Sequence, residues 1–343
     1  MKYALVKKTD LEKWIRHLQK KARFYAPKKK ENLYVFRPIK DVSEICLDYI
    51  PTILPPKKYY FPQKEKLAKF DTKTLKEERD LKEPEEFILF AVHTCDIAGI
   101  QCMDAVFREQ PADPYYLSRK DRMTIIGFEC MKYCDSHASC ASMGNHLPRG
   151  GYDLMLTDIG DSYIIHVNSE KGEALIKGLS YIKKADSSNM KALDSAREEK
   201  NRVFKEELDA PVSKVYEAFD KGFNAKVWED TGRRCVGCGN CTSVCPTCYC
   251  FNVEDELSLD LGSGTRYRIW DSCQMEDFAK VAGGHDFRKG RDLRQRHRYY
   301  RKFKYPADKF NRYFCTGCGR CTRACMAGID LKETVNALLK EVA

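Results

Sequence analysis

Eight cysteines fall into two runs that share one spacing. Both runs follow C-x2-C-x2-C-x3-C, and their members are Cys235, Cys238, Cys241 and Cys245, then Cys315, Cys318, Cys321 and Cys325. This is the spacing of bacterial ferredoxin loops, where three thiolates bind three irons of one cubane and the fourth reaches the neighbouring cluster. The sequence therefore predicts two [4Fe–4S] clusters, with Cys325 completing the first run's cluster and Cys245 completing the second.

Zinc is the alternative for these eight thiols. A zinc site usually draws C-x2-C pairs from separated segments to build one tetrahedron, whereas here four thiols lie within eleven residues, twice. The repeated motif favours iron and sulfide, and two adjacent clusters indicate one-electron transfer.

A second group of thiols follows two predicted strands. Residues 87–92 and 123–128 are apolar, and Cys95 and Cys130 come directly after them. The ends of parallel strands share one edge of a sheet, and Cys134 and Cys140 lie in the loop that follows. We predict a third [4Fe–4S] cluster on Cys95, Cys130, Cys134 and Cys140. The alternatives are buried or free thiols, or a zinc site in which His137 replaces a thiol.

The remaining cysteines give weaker signals. Cys46 and Cys102 lie in apolar surroundings and are expected to be buried. Cys248, Cys250 and Cys273 match no known ligand spacing, so we expect them to pack beside a cluster and donate S–H hydrogen bonds. A further metal site with His285 is the alternative.

The pattern of apolar residues predicts the elements that position these thiols. We expect a helix over residues 9–26 that begins with a capping box of Thr9 and Glu12. We also expect a strand over 33–36, an extended segment over 53–61, a helix over 97–107, and a hairpin of 152–156 with 162–167. Residues 170–184 and 190–220 are expected to form polar helices. No strand pattern is found after Arg233.

These elements predict an α+β or α/β N-terminal domain followed by an α-helical dicluster ferredoxin-type domain. The expected divisions are an α/β domain at 1–185, a helical connector at 186–228 and a helical ferredoxin domain at 229–343, with a boundary near Trp228.

Composition limits the classes of function. The 343 residues include 17 cysteines. The N-terminus lacks an apolar signal core, and no apolar stretch is long enough to span a membrane. These features predict a cytoplasmic protein with reduced thiols. The formal charge is +10, but each bound cluster with its thiolates adds roughly −2, so the charge is weak evidence for nucleic acid.

The basic segment 288–304 carries interleaved aromatic residues but no nucleic-acid-binding motif. We interpret it as a solvated helix face, or as a basic surface that docks an acidic partner subunit.

Several motifs resemble those of one known family. They are residues 94–96 (TCD), 245–250 (CPTCYC), 270–273 (WDSC) and 282–288 (AGGHDFR). The chain resembles the iron–sulfur β subunit of cytoplasmic sulfhydrogenases and is similar to the related A subunit of anaerobic sulfite reductase. In the family a Cys-x-Cys pair occupies the N-terminal loop, and its second member matches Cys140. Here Ala138 stands at the first position, and Cys134 lies upstream.

The resemblance implies a non-catalytic electron-transfer subunit. Such a subunit connects a flavin subunit that handles NAD(P)H to a catalytic subunit of the [NiFe] hydrogenase or sulfur reductase type. One alternative is the electron-input subunit of a sirohaem sulfite reductase. Another is a chain that is itself catalytic at its N-terminal iron–sulfur site, and a third is an iron–sulfur protein that binds nucleic acid.

Overall fold

The computed structural model describes residues 2–81, 83–205 and 207–343. Its strands are β1 Tyr3–Lys7, β2 Arg23–Lys30, β3 Leu33–Pro38, β4 Lys64–Asp71, β5 Glu77–Arg79, β6 Phe87–His93, β7 Met123–Phe128, β8 Leu154–Asp158, β9 Ser162–Val167, β10 Ile182–Lys184, β11 Phe251–Leu257 and β12 Ser263–Trp270. Its α-helices are α1 Leu11–Gln19, α2 Thr94–Phe107, α3 Pro114–Arg122, α4 Glu170–Ala174, α5 Ser187–Val203, α6 Val212–Lys221, α7 Val227–Arg234, α8 Asn240–Ser243, α9 Arg291–Phe303, α10 Tyr305–Phe310, α11 Arg320–Arg323 and α12 Leu331–Glu341. Short 3-10 helices occupy Lys8–Asp10, Val42–Glu44, Pro56–Tyr59 and Asp277–Ala279.

The larger sheet has eight strands in the order β10-β1-β9-β8-β7-β6-β2-β3. The four adjacent strands β8, β7, β6 and β2 are parallel to one another. All other adjacent pairs in this sheet are antiparallel. Every residue of β6 is buried because both faces of the strand are covered. Trp14 of α1 packs on the face that presents Phe90, while Ile100 of α2 packs on the face that presents Leu89.

The predicted parallel strands and hairpin are confirmed. Strand β6 pairs with β7 in parallel, so Cys95, in the first turn of α2, and Cys130, in the loop after β7, lie at the same edge of the sheet. Strands β8 and β9 pair as an antiparallel hairpin. The extended segment 53–61 contains only the one-turn 3-10 helix at Pro56–Tyr59.

Three helix predictions need correction. Helix α1 ends at Gln19, and β2 begins at Arg23, because the chain turns back to pair with β6. The side chain of Thr9 does not cap α1, for which Asp10 is the N-cap residue. Residues 170–184 contain only the short helix α4 followed by strand β10, which adds an edge to the sheet. The segment 190–220 is divided between α5 and α6.

The expectation of no strands after Arg233 is wrong. Strands β11 and β12 form a hairpin, and β12 pairs with β4, giving a smaller sheet in the order β11-β12-β4-β5. The buried guanidinium of Arg268 pairs with Glu65 of β4 and with Asp113, so charge complementarity fixes the hairpin to the N-terminal part. Strands from both sides of the predicted boundary near Trp228 therefore share one sheet, and the domain division itself stays a prediction.

The C-terminal helices have their own apolar core. Phe219 of α6, Trp228 of α7, Phe303 of α9 and Leu338 of α12 pack together and are buried. This core contacts both cysteine runs. Cys315 is one of its members, and α7 leads directly into Cys235. Among the described residues, no helix has the length and apolar character needed to cross a membrane.

Candidate iron–sulfur centres

The two cysteine runs fold into matching loops. Gly237 and Gly239 have φ angles of +71° and +74°, and Gly317 and Gly319 have φ angles of +71° and +69°. Each loop then enters a four-residue helix, α8 or α11, that begins directly after the second glycine. Positive φ at these positions favours glycine, which lets the chain turn tightly around the thiols. The repeated spacing therefore produces a repeated backbone conformation.

The first thiol cavity is bordered by five cysteines, of which three come from the first run. They are Cys235, Cys238 and Cys241 of the first run and Cys321 and Cys325 of the second. The N–H of Gly237 donates to Cys235 Sγ at 3.3 Å, and the N–H of Ile329 donates to Cys325 Sγ at 3.3 Å. Gln295 Nε2 also donates to Cys235 Sγ at 2.9 Å. Donors aimed at sulfur stabilise thiolate rather than thiol.

The second thiol cavity is bordered by five cysteines, which are Cys241, Cys245, Cys315, Cys318 and Cys321. The structure thus brings the fourth cysteine of each run to the three thiols of the other run. Cys241 and Cys321 border both cavities, which are therefore neighbours. This arrangement is compatible with the predicted exchange of ligands, and the assignment of individual ligands stays a prediction.

Both cavities suit iron–sulfur clusters by the chemistry of their linings. Each is bordered by five cysteines, enough for the four thiolate ligands of a cubane, together with backbone N–H groups. The hydroxyl of Thr316, which lines the second cavity, is buried and has no hydrogen-bond partner among the described residues, so it can donate to an acceptor placed there. Burial raises the pKa of Cys241 and of Cys321 to about 11, so thiolates at these positions require compensating positive charge.

Part of that charge comes from the basic segment. Arg298 borders both cavities and Lys302 borders the second, and each side chain is buried. Burial alone would lower the pKa of Lys302, but the adjacent thiols of Cys245 and Cys248 raise it above its ordinary value. The pKa of Arg298 is likewise raised, because the effect of Cys241 and other neighbours exceeds that of burial.

The interpretation of this segment as a solvated helix face is therefore wrong. Gln295, Arg298 and Lys302 lie at positions i, i+3 and i+7 of α9, on the side that faces the thiols. The sequence analysis missed these three residues. Their helical spacing, in register with the buried aromatic residues of α9, is the signal that would have found them.

The four N-terminal thiols also lie near one another. Cys95 opens α2, and Cys130 follows β7, at the same edge of the sheet. Burial raises the pKa of Cys130 to about 11 and that of Cys140 to about 12. The charge of Cys130 contributes to the raised pKa of Cys95, Cys134 and Cys140, so these thiols are neighbours. Cys130 and Cys134 border a cavity of about 880 Å³ that opens at this edge.

A single-ion site finds no support in the part of the chain that the structure describes. Within it, no three His, Cys, Asp or Glu side chains converge closely enough to hold one metal ion. Cubane ligands stand farther apart, since each binds a different iron. His137 pairs with Asp330 at 3.5 Å and borders the second thiol cavity instead.

A buried ionic network, also missed by the sequence analysis, anchors this N-terminal edge. Glu129, which precedes Cys130, is fully buried and accepts hydrogen bonds from Lys200 at 2.8 Å, Arg197 at 3.0 Å and Thr157 at 2.7 Å. Burial favours a raised pKa for Glu129, but the two cations hold it below its ordinary value. The network ties α5 to the end of β7 and places the Lys200 ammonium near Cys130.

The N-terminal loop packs directly on the second cysteine run. Ser139 N–H donates to the Gly317 carbonyl at 2.8 Å, and Arg323 pairs with Asp135 at 2.8 Å. A Cβ at Gly317 would lie 2.4 Å from the Ser139 backbone, so only glycine allows this approach. The N-terminal thiols and the second thiol cavity are consequently close together.

The other cysteines are distributed differently. Cys102 is buried, as expected, and Cys46 is half-buried. Cys248, Cys250 and Cys273 lie together beside the two thiol cavities, whereas His285 is on an exposed loop with exposed neighbours.

Comparison with known proteins agrees with this arrangement. Residues 234–329 match the family model of a 4Fe-4S dicluster domain. The chain is 34% identical over 332 residues to the sulfhydrogenase 2 subunit beta of Pyrococcus furiosus, an alignment that covers 96% of each chain. This chain belongs to the sulfhydrogenase β-subunit family. No solved structure matches it significantly.

The family sets the character of the centres. The match to a sulfhydrogenase β subunit and the dicluster domain show that this is a [4Fe–4S] iron–sulfur protein. It is related to hydrogenase subunits and belongs to the proteins of electron transport. The resemblance expected from the motifs is thereby confirmed.

Proposed function

We propose that this chain is the electron-transfer subunit of a cytoplasmic, multisubunit oxidoreductase. It relays single electrons between a flavin subunit that handles NAD(P)H and a catalytic subunit of the [NiFe] hydrogenase or sulfur reductase type. The observation that carries this proposal is that two neighbouring thiol cavities are each bordered by cysteines of both runs. The relative named a sulfhydrogenase subunit supports membership of a complex.

The proposed ligands are the cysteines of three groups. They are Cys235, Cys238, Cys241 and Cys325 for the first cluster, Cys245, Cys315, Cys318 and Cys321 for the second, and Cys95, Cys130, Cys134 and Cys140 for a third. When bound, [4Fe–4S] clusters supply one-electron redox chemistry at potentials set by charge and hydrogen bonding.

The chain's own residues set that environment. Arg298 and Lys302 place buried positive charge beside the first two thiol groups, and positive charge favours the more reduced, more negative state. Gln295 and the backbone N–H groups at the thiols act in the same direction. Arg298 and Lys302 are themselves buried, so solvent screens their charges only weakly and their electrostatic effect on the thiols is strong.

The native complex provides the test. We expect a flavoprotein and a second redox enzyme to copurify with this chain when it is isolated anaerobically from its source. Addition of NAD(P)H or H2 to the complex should produce reduced, paramagnetic clusters. The isolated chain should show no turnover with sulfur compounds or H2. Copurification with no redox protein contradicts the proposal. Copurification with a sirohaem protein supports instead the electron-input subunit of a sulfite reductase.

The third group has its own test. We expect about twelve irons per chain, and a Cys95→Ser/Cys140→Ser variant should lose about four of them. The matched control is Cys46→Ser, which changes a half-buried thiol outside the three groups and should leave the iron content unchanged. About eight irons in the unaltered chain would restrict the proposal to two clusters.

A second candidate is catalysis at the N-terminal site. The cavity of about 880 Å³ at Cys130 and Cys134 is large enough to admit a small substrate to that edge of the sheet. Turnover of a sulfur substrate by the isolated, iron-loaded chain, lost in Cys130→Ser, would favour this function over the relay.

A further inference from the structure

Two cysteines outside the proposed ligand groups are brought together by the β11–β12 hairpin. Phe251 pairs with Trp270, and the Asp271 N–H donates to the Cys250 carbonyl at 2.9 Å, so the pairing continues past the strand ends. Cys273 follows two residues later, and the Cys250 and Cys273 thiols are close enough to shift each other's pKa. The two thiols are therefore neighbours, although 22 residues separate them in the chain.

The surroundings of this pair carry positive charge. Lys57 is 2% exposed, its ammonium donates to the Cys248 carbonyl at 2.7 Å, and it lies 3.9 Å from the centroid of the Trp270 ring. Among the described residues, no carboxylate forms an ion pair with Lys57. Burial lowers the pKa of Lys57 to about 8, and the nearby thiols of Cys248, Cys245 and Cys250 oppose that shift.

A small cavity of about 100 Å³ gives the pair access to protons. Its lining includes Lys57, Cys248, Cys250, Asp271 and Ser272. Cys273 itself is buried behind Cys250. One thiol of the pair thus faces a polar cavity, and the other is enclosed.

The pair is also connected to the first thiol cavity. Gln274 Nε2 donates to Cys273 Sγ at 3.4 Å, and Gln274 Oε1 accepts from Gln295 Nε2 at 2.9 Å. The same Gln295 nitrogen donates to Cys235 Sγ. A hydrogen-bonded path of two glutamines therefore joins the pair to a proposed cluster ligand.

The two thiols of the pair differ in acidity. Hydrogen bonds from Cys273 hold the pKa of Cys250 below its ordinary value, whereas the contact with Cys250 and burial raise the pKa of Cys273. Cys250 is the better nucleophile of the two, and this asymmetry is typical of dithiols that undergo exchange.

We propose that Cys250 and Cys273 form a redox-active dithiol that stores two electrons beside the one-electron carriers of the proposed function, on which this inference rests. Oxidation forms one Sγ–Sγ bond, releases two protons into the small cavity and passes two electrons, one at a time, to oxidised one-electron carriers. The reverse step takes two electrons from reduced carriers and two protons, and it restores both thiols. A metal site is the less favoured use of these thiols, because no three ligands converge here in the described part of the chain.

The experiment is differential alkylation of the full, iron-loaded chain under anaerobic conditions. The protein is equilibrated at a series of glutathione to glutathione disulfide ratios, alkylated, digested and mapped by mass spectrometry. We expect a linked peptide containing Cys250 and Cys273 to appear at oxidising ratios with the loss of two alkylatable thiols. Reduced methyl viologen, a one-electron donor, should convert it back to two thiols.

Two variants make the assignment specific. Cys273→Ala should leave Cys250 open to alkylation at every ratio, and Cys46→Ala should leave the transition unchanged. Separate alkylation of both cysteines at all ratios would overturn the proposal, as would their protection by bound zinc or iron.

Iron content and the paramagnetic signal of the reduced protein are measured on the same samples. Intact iron without the linked peptide rejects the dithiol and leaves the relay standing. Loss of iron from the unaltered chain counts against the relay. In that case the presence or absence of the linked peptide still shows whether Cys250 and Cys273 form a dithiol.

Discussion

The guanidinium of Arg320 forms a two-pronged ion pair with the carboxylate of Asp96, with nitrogen–oxygen distances of 2.6 and 2.8 Å. Both side chains are buried, and Arg320 Nε also donates to the Thr52 carbonyl at 2.7 Å. Arg320 is the neighbour of Cys321, and Asp96 is the neighbour of Cys95. The pair therefore joins the N-terminal thiols to the second thiol cavity and fixes their separation.

Breaking this pair should destabilise the protein strongly. Asp96→Asn leaves the Arg320 charge buried without its counter-ion, so we expect the free energy of unfolding to fall by about 3 to 5 kcal/mol. Urea denaturation of the iron-loaded chain measures it. The matched control is Asp255→Asn, which breaks an exposed pair with Arg266 and should cost less than about 1 kcal/mol. Equal losses in the two variants would show that the Arg320–Asp96 pair has no special role.

The exchange of fourth ligands between the two runs can be read from iron content. Cys238→Ser/Cys325→Ser removes two thiols from the first cavity and should cost about four irons per chain. Cys318→Ser/Cys325→Ser removes one thiol from each cavity, so both clusters are weakened and up to about eight irons should be lost. Iron analysis after anaerobic reconstitution distinguishes the variants. The reverse order of losses would indicate that each run binds its own cluster with all four cysteines.

Contact between the N-terminal loop and the second cysteine run predicts the effect of one methyl group. Gly317→Ala introduces a Cβ 2.4 Å from the Ser139 backbone at a φ of +71°. Gly178→Ala is the control, because Gly178 has a similar φ of +79° but no atom within 4 Å of the new Cβ. The control should cost about 1 to 2 kcal/mol through backbone strain alone. Gly317→Ala should cost more, measured by the same urea denaturation, and equal costs would mean that the loop moves aside freely.

Acid should destabilise the protein in part through His297. Burial, with a contribution from Arg288, lowers the pKa of His297 to about 4. The unfolded chain binds this proton at about pH 6.5, so the stabilisation is fully present above that pH and is lost as pH falls towards 4. We expect about 2 kcal/mol from this partly exposed group, after allowing for solvent screening.

The check compares unfolding free energies at about pH 7 and about pH 4.5. His297→Gln should lose less stability on acidification than the unaltered chain. His285→Gln, which removes an exposed imidazole, should behave like the unaltered chain. An unchanged pH dependence in His297→Gln would contradict the assignment.

Local sequence signals determined much of this protein. The repeated cysteine spacing predicted two matching loops, because a tight turn around a metal cluster constrains the interval between its ligands. The apolar run at 87–92 predicted a strand, and β6 occupies it. These features depend on contacts between near neighbours in the chain.

Tertiary structure alone decided what depends on distant contacts. The pairing of β12 with β4 was not predictable, since strand 251–257 is exposed throughout and strand 263–270 is mainly polar and only partly buried. Strand pairing and buried charge, rather than apolar periodicity, fix them in place.

The burial of Arg298 and Lys302 has only one local signal, their helical spacing with the aromatic residues of α9, and basic residues on a helix usually face water. Only the fold, by placing anionic groups on that side of α9, makes burial of these cations favourable. The same holds for Cys250 and Cys273, whose contact exists because a hairpin brings its two ends together.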